Sequence, residues 1–160
     1  MQQFDLGISA TAFHWLNEDS ALTKVAKLLR PGGWWAMFWN VFGDSRLPDP
    51  FHEATKSFLN EPLSPSAANG EVPFALDAEA RLAALEQTAA FDSVEHRTST
   101  WSLVLDPDQT VALYGTYSNV NIRPDRQEVL DELRRIARDE FQGRVIRNMI
   151  TSLYVARRCA

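Results

Sequence analysis

A few positions in this chain carry side chains able to do chemistry. His14, followed by Trp15, lies just past a short apolar run at residues 4–10. If that run is a strand of an open α/β sheet, its C-terminal end is where ligands bind, and a histidine there can act as a base towards a protonated acceptor or simply pack or cap. Trp39 and Asn40 close a second apolar run, residues 34–39, on the same rim; a core aromatic and a turn-forming Asn would also suit that place. Tyr114 and Tyr117 are three residues apart, hence on one helix face, where they either reach an acceptor or pack. Arg123, beside Pro124, suits bidentate contact with a carboxylate and equally a surface position.

Other chemistry has little support. His14, His52 and His96 are scattered without ligand spacing, so no metal site is expected. No Gly-x-Ser-x-Gly elbow exists for a hydrolase. The single cysteine, Cys159, is penultimate, which disfavours a catalytic thiol and excludes an internal disulfide.

The elements that must hold these residues begin with one strand-helix-strand unit over residues 4–40. Residues 4–10 read as a buried strand ending in small residues. Asn17, Glu18, Asp19 and Ser20 suit a helix N-terminus. Leu22, Val25, Ala26 and Leu29 follow at i, i+3, i+4, i+7, with Lys24, Lys27 and Arg30 off that stripe. Pro31-Gly32-Gly33 is expected to stop the helix in a turn. Residues 34–39 are apolar throughout, as in an interior strand covered on both faces, and a parallel crossover results.

Phe4-Asp5-Leu6-Gly7-Ile8-Ser9-Ala10-Thr11-Ala12-Phe13-His14-Trp15, then Leu28-Leu29-Arg30-Pro31-Gly32-Gly33, then Ala36-Met37-Phe38-Trp39-Asn40, resembles the second half of a class I S-adenosylmethionine-dependent methyltransferase. Within that superfamily the sequence is most similar to the small-molecule branch (methyltransferase type 11) that includes trans-aconitate-type enzymes. The resemblance implies an α/β fold with a partial Rossmann-like sheet of about four strands, the last antiparallel and inserted between the second and third. S-adenosylmethionine is the implied cofactor, with Ser9, Ala10 and Phe13 on its side. His14, the candidate catalytic residue, would lie on the substrate side with Trp15, Trp39, Asn40, Tyr114, Tyr117 and Arg123. The family's glycine-rich cofactor turn has no counterpart, since none of the 7 glycines forms a GxGxG. The chain is therefore expected to be a truncated or split methyltransferase whose activity requires an absent N-terminal half. The alternative is a non-catalytic remnant serving as an assembly or binding module. The strand at 4–10 would be an open sheet edge, expected to be covered by a second copy or by the missing half.

Composition agrees with one soluble domain over residues 1–160: 45% hydrophobic, 23% charged, net charge -5. That charge argues against a nucleic-acid partner, and no apolar run approaches membrane-spanning length. A cytoplasmic protein of prokaryotic type is expected, without a signal peptide. Residues 41–76 read as a variable cap, with Asp49 and Pro50 opening a helix and a Pro/Ser/Gly-rich connection at 61–70. Asp77 should open a helix ending at Phe91-Asp92, followed by a strand to Leu105. Asp106-Pro107-Asp108-Gln109 is a helix start running to about Tyr117. A further helix from about Asp125 to Gln142 ends at Gly143, before a closing strand over 145–157.

Overall fold

The computed structural model describes residues 3–42, 48–59 and 72–160. The first strand, β1, is Phe4–Ala10, and the helix α1, Glu18–Leu28, begins where its cap stands: Asn17 Oδ1 accepts from the Ser20 N–H at 3.1 Å. Glu18 and Asp19 lie in the first turn and Lys27 in the last, matching the helix dipole at both ends. The second strand, β2, is Leu29–Val41 and runs parallel to β1, so the strand-helix-strand unit is present.

Its start corrects the sequence expectation. The Pro31-Gly32-Gly33 turn is not a separate connection but lies inside β2. Arg30 precedes a proline and is pushed towards extended backbone, so the helix ends before it. The register jumps from Phe4 opposite Leu29 to Leu6 opposite Trp34, an irregularity that absorbs the extra residues. Gly32, at φ 75°, takes the left-handed conformation there, and Gly33 lies so close to its neighbours that a Cβ would sit 3.0–3.2 Å from the carbonyl oxygens of Arg30, Phe4 and Asp5.

The other strands are β3, Phe91–Leu105, and β4, Val145–Arg158. Sheet order is β1-β2-β4-β3, with β4 antiparallel to β2 from Trp34 opposite Arg157 to Val41 opposite Ile150. The last strand therefore occupies the inner position expected of it. β1 is an edge, and Phe4, Leu6 and Ile8 along it are about half exposed.

The remaining helices are α2 (Pro50–Leu59), α3 (Ala78–Gln87), α4 (Pro107–Tyr114), α5 (Ser118–Asn121) and α6 (Arg126–Asp139). Caps explain their starts. Asp49 Oδ1 accepts from the His52 N–H, Asp77 from Ala80, and Asp106 forms a complete capping box with Gln109. Several ends come earlier than expected. α3 stops at Gln87, where Ala89 adopts φ 51°, so Phe91 opens β3 instead of closing the helix. α4 stops at Tyr114, and Tyr117 precedes α5. α6 ends at Asp139, and Gly143, at φ 73°, returns its N–H to the Ala137 carbonyl. The 61–70 connection and much of the 41–76 segment lie outside the described residues.

The chain divides into two compact units, one of residues 1–41, 65–99 and 150–160, the other of residues 42–64 and 100–149. The first has a core of Phe13, Leu22, Leu29, Trp35, Met37, Trp39, Leu85 and Tyr154. The second has its own, with Phe51, Tyr114, Val120, Leu133, Ile136 and Val145.

Candidate functional site

In the first unit, the chain leaves β1 through Thr11, held at φ 48° with its N–H bonded to the Phe38 carbonyl at 2.8 Å, and enters a short 3-10 turn, Phe13–Trp15. This turn places His14 against the end of β2. The indole Nε1–H of Trp39 donates to His14 Nδ1 at 3.0 Å. An indole only donates, so Nδ1 must be the acceptor, which leaves the ring proton on Nε2. As placed, a neutral His14 offers a donor at Nε2 and not a base. Burial holds the His14 pKa below its ordinary value, favouring that neutral form.

An aromatic group surrounds this pair. Trp15, Trp39 and Phe74 lie 5.3, 6.5 and 6.3 Å from the His14 ring centroid. Trp39 meets Phe74 and Tyr154 edge-on and is itself fully buried, whereas Trp15 is exposed. Phe74 is held from its other side by Arg81, whose guanidinium lies 3.7 Å above the ring and pairs with Glu18 at 2.8 Å. Sequence reasoning singled out neither Phe74 nor Arg81, because nothing local in residues 72–81 points to a site.

The other expected residues of this unit separate by environment. Ser9 is half-buried and Ala10 exposed at the end of β1, but the Phe13 side chain packs into the core against Trp35. Asn40 is exposed and its Oδ1 accepts from Thr151 Oγ1 at 2.7 Å. Tyr154 and Ser152 both donate to the Ala75 carbonyl, at 2.9 and 2.7 Å. His96 Nε2 lies 2.9 Å from the same Ser152 oxygen, but the serine's one hydrogen goes to Ala75, so this is not a base-nucleophile pair.

The second unit holds Tyr114, Tyr117 and Arg123. The two tyrosines do not share a helix face, because α4 ends at Tyr114 and Tyr117 is extended ahead of α5, but their ring centroids lie 5.1 Å apart. Tyr114 Oη accepts from Arg147 Nη1 at 2.5 Å, and burial raises both phenol pKa values. Arg123 makes a bidentate contact with Asp125 and donates to the Phe58 carbonyl, so its guanidinium serves its own unit. Arg147, absent from the sequence reading, is fully buried beside Asp49, with Nε 2.8 Å from Oδ2. It sits in β4 among apolar neighbours, and only its alternation with exposed residues could have marked it as inward-facing.

Among the described residues no group of three or more His, Cys, Asp or Glu is placed to hold a metal, and no helix is long and apolar enough to cross a membrane.

No family model matches this sequence, and no match to it is found among curated proteins. Solved structures do match. A proposed type II methyltransferase from Anaeromyxobacter dehalogenans is 16% identical with a TM-score of 0.58, the match covering 98% of this chain and 65% of that one. A proposed methyltransferase from Bacillus halodurans is 13% identical with a TM-score of 0.53, over 99% of this chain and 66% of that one. The chain has a methyltransferase-type fold. A Haemonchus contortus phosphoethanolamine N-methyltransferase solved with S-adenosylhomocysteine also matches, at 14% identity and a TM-score of 0.47, over 98% of this chain and 34% of that one. The chain thus spans less than two thirds of the length of each of these methyltransferase-fold structures.

Proposed function

We propose that this chain forms part of an S-adenosylmethionine-dependent methyltransferase acting on a small-molecule acceptor. The observation that carries the reading is the β1-α1-β2 crossover, in a sheet of methyltransferase-type order, that brings His14 and Trp39 together past the strand ends. Ser9 and Ala10 fit the flank of such a cofactor, because their small side chains leave the backbone open at the end of β1. Phe13 would contribute through its backbone, its ring being committed to the core. The cofactor, when bound, supplies the methyl group of a sulfonium.

What these residues contribute is alignment and exclusion of water. The buried indole of Trp39 fixes the His14 ring, and His14 Nε2–H, with exposed Trp15 beside it, offers a donor and an aromatic surface to an acceptor molecule. Asn40 completes that rim. The glycine-rich turn that holds the cofactor in the resembled family has no counterpart in these 160 residues, so tight binding requires a segment or partner that supplies it.

A second reading, an assembly module without catalysis, is favoured by the β1 edge, where Phe4, Leu6 and Ile8 are half exposed beside unpaired backbone. Pairing through that edge, with a second copy or a separately made partner, fits both readings. Calorimetric titration with S-adenosylmethionine and S-adenosylhomocysteine decides between them. Weak but saturable heat at one site per chain is the expected result, since the segment needed for tight binding is missing; silence at millimolar ligand would leave the assembly reading.

A further inference from the structure

We infer that Arg147 and His52 form a recognition site in the second unit for a small carboxylate. The inference starts from hydrogen bonds that are missing. Arg147 gives Nε to Asp49 and Nη1 to Tyr114, yet its buried Nη2 has no partner among the described residues. His52 Nδ1 is also buried without one. Buried polar groups are almost always paired, and an orphaned guanidinium nitrogen is among the costlier exceptions.

Both orphans belong to one small cluster around Phe42. The guanidinium carbon lies 4.0 Å from the centre of that ring, the His52 ring meets it edge-on at 5.2 Å, and Tyr117 stacks on it at 6.0 Å. Arg147 is fully buried, while Phe42, His52 and Tyr117 are each partly exposed. A ligand would arrive past those three rings.

The structural work of Arg147 is complete without Nη2. Asp49 already accepts from Nε and from the N–H groups of His52 and Asn148. The unpartnered Nη2 can donate to a carboxylate oxygen in a charge-assisted contact, and flat aromatic neighbours favour a flat group over a tetrahedral one. His52 can donate to the second oxygen once protonated; Arg147, Asp49, Glu53 and Lys56 are the charged groups that act on it. This assignment holds whether or not the chain transfers methyl groups, and its test uses no cofactor.

The experiment titrates the full chain by calorimetry with acetate, succinate and citrate, and with succinamide and inorganic phosphate as controls. Saturable binding of at least one carboxylate is expected, about tenfold tighter than its uncharged amide, which is the order of one charge-assisted contact. Arg147→Lys should weaken it at least about tenfold and His52→Ala several-fold. Because Arg147 variants risk the fold, the ¹⁵N resonances of the Arg147 guanidinium in the unmodified chain give a second readout and should move on saturation. No binding by any carboxylate at 10 mM, about the weakest affinity worth the name, overturns the site. So does equal binding of succinamide, tighter binding of phosphate, or an Arg147 resonance that stays still while ligand binds.

Discussion

Replacing Asp49 by Asn tests the electrostatics of the second unit most directly. Asp49 and Arg147 are both fully inaccessible to solvent, so neither charge can fall back on water when its partner is lost. Breaking such a pair from one side costs about 3–5 kcal/mol. The contacts say which side costs more. Without the Asp49 charge, Arg147 keeps only the Tyr114 hydroxyl, and the remaining amide oxygen cannot serve both the His52 N–H and Arg147 Nε. Without Arg147, as in Arg147→Met, Asp49 keeps two backbone N–H donors, from His52 and Asn148. Asp49→Asn should therefore lie near about 5 kcal/mol and Arg147→Met near about 3 kcal/mol. For a chain of this size that corresponds to roughly 10–20 °C and 6–12 °C in Tm. The double variant Asp49→Leu, Arg147→Met leaves no buried charge and should return to within about 1 kcal/mol of the parent. Urea unfolding followed by circular dichroism measures all of these. A loss below about 1 kcal/mol for Asp49→Asn, or a double variant that simply adds the two single losses, would refute the reasoning.

Three further outcomes follow from local contacts. Burial depresses the pKa values of His14, His52 and His96 below 6.5, so between the folded values and 6.5 the unfolded chain binds more protons. Stability should be full above pH 6.5 and fall as pH drops below it; Glu18, whose pKa burial raises, opposes this but is one group against three. A Tm that is flat or rising from pH 7 to about pH 5 would contradict the assignment. Gly33→Ala forces a methyl against three backbone carbonyls and should cost about 1–3 kcal/mol by urea titration, and no loss there would refute the close approach at the β2 irregularity. Trp39→Phe removes the donor to His14 and should cost about 1 kcal/mol or more. Its sharper readout is ¹⁵N spectroscopy of His14, which should show the Nε2–H tautomer alone in the parent and a mixture in the variant.

Much of the first unit was legible in the sequence because its signals are local. Asn17 before an amphipathic stripe, and apolar runs on either side, locate β1, α1 and β2 without any distant contact. Asp49, Asp77 and Asp106 mark helix starts for the same reason, a side-chain acceptor within one turn of the N–H it caps. The Pro31-Gly32-Gly33 stretch was misread as a turn because its role depends on Phe4 and Asp5, whose carbonyls crowd Gly33 from the adjacent strand. Helix ends were overextended at Asp92 and Gln142 where positive-φ residues intervene, at Ala89 and Gln142 itself, and neither residue type announces that conformation. At the site, His14 and Trp39 were found but not their bond, since 25 residues separate donor from acceptor. Arg147 stayed hidden because its counter-charge, Asp49, lies 98 residues away.

The order of the sheet has a consequence for how the molecule is made. The last strand of this sequence, β4, is an inner one, paired with β2 over residues 150–157, with β3 as its other neighbour. Until residues 145–158 join it, the sheet has a gap between β2 and β3 that leaves two strand margins facing each other. Closure joins residues more than a hundred positions apart, such as Asn40 and Thr151, which makes it slow relative to helix formation. Any factor that shields bare strand margins would find its substrate in that intermediate, and removing residues 149–160 would take away the keystone and not merely a fringe.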